Sequence, residues 1–159
     1  MQGEQVRRGS GNVASVVVRR VRADDADAHR LVQAYFAELR VRLGGFEAPS
    51  FAELLIDGTA FVASSEGVPV ACAWLRLLAP DTAEVKRMFV APEARGHGVA
   101  RALLATLEES ARHLGCARIV LDTATPLAEA ARLYLREGYV EIDRYNDNPY
   151  AGRWFSKSL

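Results

Sequence analysis

The apolar positions of the chain change their period several times, and each change marks an element. Val13 to Val21 is a run rich in valine that predicts a first strand. Leu31, Tyr35, Leu39 and Leu43 then recur at helical spacing behind the acidic cap sequence Ala23-Asp24-Asp25. Gly44-Gly45 ends that helix, and Pro49-Ser50 opens a short second one that runs through Leu55 and closes at Asp57-Gly58. Two apolar runs, Thr59 to Ser64 and Val68 to Leu77, flank Ser65-Glu66-Gly67 in a hairpin pattern, and a third, Ala83 to Val90, follows the turn at Pro80-Asp81. From Gly98 to Leu114 one stripe carries Leu103, Leu104, Leu107, Ala111 and Leu114 with charges between them, the clearest helix in the chain. Gly115 caps it, Arg118 to Asp122 is a short strand, and Leu127 to Glu137 is a helix ending at Gly138. Tyr139 to Asp143 and Arg153 to Ser156 complete the series as two strands. This order predicts a mixed α/β sheet in one domain.

Composition sets limits on that picture. A chain of 159 residues, half of them apolar, suits one core. The domain is expected over 13–159, with 1–12, rich in Gly, Ser, Gln and Arg, as a disordered tail. Twenty basic residues balance twenty acidic ones, so no long-range field gathers nucleic acid or anionic membrane, and any anion site must be local. The arginines at 7, 8, 19, 20 and 22 read as a solvated tail and strand edge. Cys72 and Cys116 lack CxxC spacing, and His29, His97 and His113 lack partners at ligand spacing, so neither a disulfide framework nor a metal site is expected. With no apolar run near the roughly 20 residues of a membrane span and no secretory pattern, a soluble cytoplasmic protein is expected. Nothing in the chain specifies a homodimer, which stays open.

The candidate chemistry begins after the third strand of the meander. A strand, Pro92, Arg95-Gly96-His97-Gly98 and then a long helix is an arrangement suited to a phosphate. The glycines let backbone N–H groups turn inward, and the helix start adds unpaired donors and the positive end of its dipole. Arg95 can add a charged contact at the rim. A plain tight turn would use the same glycines, but neither a P-loop nor a dinucleotide fingerprint is present.

The segment EVKRMFVAPEARGHGVARALL, Glu84 to Leu104, resembles the central motif of the GNAT superfamily, in which a strand ending near V-x-P is followed by R/Q-x-x-G-x-G/A at a helix start. A second stretch, AARLYLREGY at Ala130 to Tyr139, is similar to that family's A-x-x-L-Y-x-x-x-G-F, with Tyr in the last place. The strings EVKRMFV, LDT at Leu121 to Thr123 and YNDNP at Tyr145 to Pro149 look like a bacterial subgroup of small-molecule acetyltransferases. The resemblance implies a GNAT-like acyl-CoA N-acyltransferase fold with splayed central strands, and acetyl-CoA as co-substrate with no metal. The implied reaction is direct attack of a small primary amine on the thioester. A non-catalytic acyl-CoA-binding module and a protein N-terminal or lysine acetyltransferase are the alternatives.

Carried onto this chain, the resemblance assigns cofactor binding to Met88, Phe89 and Val90 on the strand and to Arg95, Gly96, His97, Gly98, Val99, Ala100 and Arg101 at the turn. A backbone N–H of the strand would hold the oxyanion. Tyr134 is the candidate acid for the leaving thiolate, although its place on the stripe Leu127, Ala130, Ala131 is also explained by packing. Glu84 is the candidate base; strand alternation sets it on one face with Lys86, Met88 and Val90. The alternative is an exposed strand-end carboxylate paired with Lys86 or Arg87, with a water chain as the base. Leu127 stands where the family often has Asn, so a polar cofactor contact is expected to be missing unless Thr123 or Thr125 replaces it. Acceptor recognition is expected from Tyr35, Arg40, Trp74, Arg76, Lys86, Tyr145 and Asn148. Lys86 and Arg87 either meet an acidic group of the acceptor or balance Glu84.

Overall fold

The long hairpin of β4 (Val68–Ala79) and β5 (Thr82–Val90) lies at the centre of an eight-stranded sheet. The computed structural model describes residues 5–6, 15–56 and 58–159. To one side of the hairpin lie β3 (Thr59–Ser65), β2 (Val16–Val21) and the two-residue β1 (Gln5–Val6). To the other lie β6 (Arg118–Thr123), β8 (Arg153–Ser158) and finally β7 (Val140–Ile142). Neighbouring strands are antiparallel except β5 and β6, which run parallel because helix α3 (Val99–His113) carries the chain back between them. The mixed sheet expected from the pattern is therefore present. Of the tail expected over 1–12, Gln5–Val6 pairs with β2, and the remainder lies outside the described residues, as do Val13 and Ala14 of the predicted first strand.

The remaining elements follow their local chemistry. Helix α1 (Ala26–Leu43) starts at Asp25, whose carboxylate accepts from the Ala28 N–H at 3.0 Å. Helix α2 (Phe51–Ile56) starts in a reciprocal Ser50/Glu53 capping box. Helix α4 (Ala128–Arg136) ends before Gly138 at φ 91°. Buried positions are consecutive in β3 (60–63), β4 (70–75) and β5 (82–85), so the sheet is covered on both faces, with α1 and α3 each packed against these three strands. No helix among the described residues is long and apolar enough to cross a membrane.

Two irregularities in β5 shape the site. Its pairing with β6 runs only from Thr82↔Arg118 to Val85↔Leu121, and beyond that the two strands part. On its other edge Trp74 faces Lys86 and Cys72 faces Phe89, so three steps on β5 match two on β4. The extra residue is a β-bulge at Arg87-Met88, with Arg87 at φ 53°. This corrects the simple alternation: Glu84 and Lys86 share their face with Phe89, and Val90, opposite Ala71, falls on the other.

Candidate active site

The turn after β5 is built as the glycine pattern predicts. A 3₁₀ turn at Pro92–Ala94 leads to Gly96 at φ 81° and to Gly98 at φ 80°, the left-handed residue that caps α3. A Cβ on Gly96 would meet nothing within 4 Å, so glycine is required there by the backbone angle rather than by space. The first turn of α3 has no acidic residue and no capping side chain. The amides of Val99, Ala100 and Arg101 precede the first intrahelical bond, from Ala102 N–H to Gly98 O at 3.1 Å, an arrangement that suits an anion. These residues line a cavity of about 690 Å³ that continues along Met88, Phe89 and Val90, the part of β5 that β6 has left.

The flanking side chains depart from expectation. Arg95 donates to both carboxylate oxygens of Glu38 at 3.0 and 2.9 Å and to the Val90 carbonyl at 2.9 Å. Its guanidinium ties the turn to α1 instead of reaching outward as a rim contact. His97 is not part of the cavity wall, whereas Arg101 is, with its exposed side chain 3.5 Å from Glu137.

A second cavity of about 240 Å³ opens on the other side of the splay, between β5, β6, α1 and the 148–150 segment. Its polar lining includes Glu47, Lys86, Arg87, Asp122, Asn148 and Tyr150. Tyr35, Met88, Leu127, Ala130 and Tyr134 line both cavities, so the two meet there. Tyr134 is buried, its ring 5.8 Å from those of Tyr139 and Phe155. Burial, reinforced by Tyr35 and Asp122, pushes its phenol well above the ordinary range and keeps it protonated. The same holds for Tyr35, through burial and then Asp122. Burial also raises the Cys72 and Cys116 thiols, which suits packing rather than nucleophilic roles.

Glu84 lies apart from both cavities. It is fully buried, which corrects the exposed strand-end reading. Its carboxylate accepts from Arg76 Nε at 2.7 Å, the Tyr145 hydroxyl at 2.6 Å and Asn146 Nδ2 at 3.3 Å, with Lys86 Nζ at 3.9 Å. Asp122, one strand over, accepts from Asn146 Nδ2 at 2.6 Å and Asn148 Nδ2 at 3.2 Å, and lies 3.6 Å from Lys86 Nζ.

Residues 23–139 match the acetyltransferase (GNAT) family. The chain belongs to the GNAT family. It is 39% identical over 93 residues to an IAA acetyltransferase of Azospirillum brasilense, covering 56% of this chain and 58% of that one. It is 41% identical over 56 residues to an aminoalkylphosphonate N-acetyltransferase of Salmonella typhimurium, covering 35% of this chain and 36% of that one. The matched stretches thus span less than two thirds of these relatives' own length. Its fold is similar to that of a GNAT acetyltransferase from Staphylococcus aureus (TM-score 0.75, 14% identity, covering 91% of this chain and 99% of that one). It is also similar to a GNAT acetyltransferase from Elizabethkingia anophelis with acetyl-CoA bound (TM-score 0.69, 16% identity, 91% and 98%).

Within this GNAT chain, the fold gathers only some of the residues the sequence singled out. Met88, Phe89, Val90, Arg95, Gly96, Gly98, Val99, Ala100 and Arg101 line the larger cavity, and Tyr35 and Tyr134 the junction. Lys86 and Asn148 line the smaller one. Arg40 is exposed on α1, Trp74 is buried, Arg76 and Tyr145 are bound to Glu84, and none of these four lines either cavity. Leu127 presents an aliphatic wall to both cavities; Thr123 reaches the smaller one, whereas Thr125 sits where a Cβ on Gly152 would fall. Asp122 and Tyr150 join the smaller cavity without being singled out by the sequence pattern. A carboxylate at the C-terminal end of a strand paired in parallel is a position where α/β sheets place ligands, and that was the available signal for Asp122.

Proposed function

We propose that the protein is an acetyl-CoA-dependent N-acetyltransferase that acetylates a primary amine of a small molecule by direct attack on the thioester. The observation that carries this reading is the meeting of two cavities at Met88 and Tyr134 where β5 and β6 part. The larger ends at amides suited to a diphosphate, and its edge along Met88 to Val90 can pair with an extended amide-bearing arm. The smaller, at about 240 Å³, suits a compact acceptor better than an extended peptide. The similar proteins carry acetyltransferase names, one of them for an aminoalkylphosphonate, which is a small amine.

Acetyl-CoA supplies the activated acyl group; the residues of this chain bind, orient and move protons. A free amine is only about one part in a thousand of an alkylammonium at pH 7, a handicap of roughly 4 kcal/mol, so a proton must leave before attack. Glu84 lines neither cavity and its oxygens are already occupied, which favours water in the smaller cavity as the carrier. The freed edge of β5 offers N–H groups to the developing oxyanion. Tyr134, kept protonated by burial, is placed to donate to the departing sulfur.

Thiol release from acetyl-CoA over a panel of small amines, amino acids and peptides tests the reading. Tyr134→Phe is expected to bind acetyl-CoA normally while kcat falls about 100-fold or more. Release with peptides alone would favour a protein acetyltransferase, and binding without release for any acceptor would favour a non-catalytic module.

A further inference from the structure

We propose that Glu84 is a positioning residue which, jointly with Asp122, holds the wall of the acceptor cavity in place and so determines which acceptors fit. This rests on the acetyltransferase reading above and gives Glu84 a different part in it from that of a base.

The wall is the segment 143–152 between β7 and β8, and a continuous set of hydrogen bonds fastens it. Glu84 takes the Tyr145 hydroxyl at 2.6 Å. The single amide nitrogen of Asn146 reaches both carboxylates, Glu84 at 3.3 Å and Asp122 at 2.6 Å, bridging β5 and β6 just where they part. On its other side Asn146 Oδ1 accepts from Trp154 Nε1 at 2.9 Å, which anchors the segment to β8. Asn148 donates to Asp122 at 3.2 Å and accepts from Tyr150 N–H at 3.1 Å. Asn148 and Tyr150 both line the smaller cavity. From there Tyr150 reaches the facing segment: its hydroxyl accepts from Glu47 N–H at 3.0 Å, and its ring lies 4.9 Å from Phe46. The wall is thus a chain of contacts that begins at a fully buried carboxylate and ends on the far rim of the cavity.

A buried carboxylate is tolerated only when donors surround it, and the donors here are spent on holding structure. Neither of the two cavities described reaches Glu84 as a route by which an acceptor proton could arrive. Loss of the grip would let Asn148 and Tyr150 drift, and a cavity of this size tolerates little drift before acceptor contacts fail.

The test uses the full chain with an acceptor identified by the amine panel, and compares Glu84→Ala, Glu84→Gln, Tyr145→Phe and Asn146→Ala. Acceptor KM is expected to rise about tenfold in Glu84→Ala, the equivalent of one lost charge-assisted hydrogen bond. Glu84→Gln, which keeps an oxygen for Tyr145 but cannot take a proton, is expected to recover part of that loss. The kcat, the acidic limb of the pH profile and the KM for acetyl-CoA are expected to stay unchanged. Trypsin cleavage after Arg144 reports the wall without any reaction, and it should speed up in the Glu84, Tyr145 and Asn146 variants alike. If Glu84→Ala fails to fold, the Tyr145 and Asn146 variants carry the same test from the other side of the contacts. A fall in kcat with loss of the acidic limb, equal for Gln and Ala and absent from Tyr145→Phe, would make Glu84 the base and overturn the proposal. Wild-type acceptor KM and wild-type trypsin resistance in all four variants would overturn it as well. No thiol release by the wild-type protein with any acceptor would bring down the acetyltransferase reading and this role with it, whatever trypsin shows.

Discussion

Replacing Gly98 separates the two physical contributions that the phosphate turn is argued to make. Gly98 sits at φ 80° as the left-handed cap of α3. An L residue held there costs about 1 kcal/mol, and the unbound turn can relax to avoid it, so Gly98→Ala is expected to weaken acetyl-CoA binding about fivefold. Gly98→Glu carries the same strain and adds a carboxylate beside amides that would otherwise meet the diphosphate. Against a double negative charge at roughly 8 Å, with an effective dielectric between about 40 and 80, the repulsion is about 1–2 kcal/mol. The sum, about 2–3 kcal/mol, predicts a loss of about 30- to 150-fold for Glu. Calorimetric titration with acetyl-CoA at low salt measures both variants, with thermal melting to check that each is folded. At about 1 M salt the Debye length falls to about 3 Å, so the extra loss in Glu over Ala should largely vanish while the loss in Ala persists. Equal affinities of the Glu and Ala variants at low salt would mean that no phosphate lies at this helix start, and the assignment would fail.

Two further outcomes test the scaffold. Leu103, fully buried on α3, is expected to cost about 3 kcal/mol of unfolding free energy as Leu103→Ala in urea denaturation, because deletion leaves a cavity against the sheet. The hydrogen bond from Arg42 holds the Glu129 carboxyl down to about 2 from its ordinary 4.5. A depressed carboxyl stabilises the fold above its unfolded value, so this contribution is complete above about pH 4.5 and is lost as the pH falls through about 2. Glu129 is half exposed, so solvent screening keeps the effect small. Melting scans from pH 6 to pH 2 should show a slightly shallower acid decline in Arg42→Gln than in the wild-type protein.

The elements themselves were legible because their causes are local. The stripe on α3, the Asp25 cap and the valine-rich strand all act within a few residues, and the structure places them where the pattern does. Gly96 and Gly98 were legible for the same reason: a positive φ is a demand one residue makes on itself. The bulge at Arg87-Met88 was not, since whether strand alternation breaks depends on how β4 pairs with β5, and the residues of β5 alone do not state it. The residues near Glu84 in sequence allow either a base or an exposed strand-end carboxylate, yet the groups that bury and bind it include Tyr145 and Asn146, 61 and 62 positions away. The turn sequence alone offers Arg95 to an anion, whereas Glu38, 57 positions earlier, holds its guanidinium.

By itself, then, the sequence determined the order and kind of elements, the glycine turn before α3 and the family resemblance that follows from them. These depend on backbone preferences and hydrophobic period, which are properties of short stretches. Only the tertiary structure decided which of the chemically capable side chains reach a cavity and which hold others in place. Tyr134 and Lys86 border open space, whereas Glu84 and Arg76 are joined to each other, and Asp122 gained its place from the parting of β5 and β6. Charges and hydrogen-bond donors act over a few ångströms in space, and the partners that settle the role of each lie far apart along the chain.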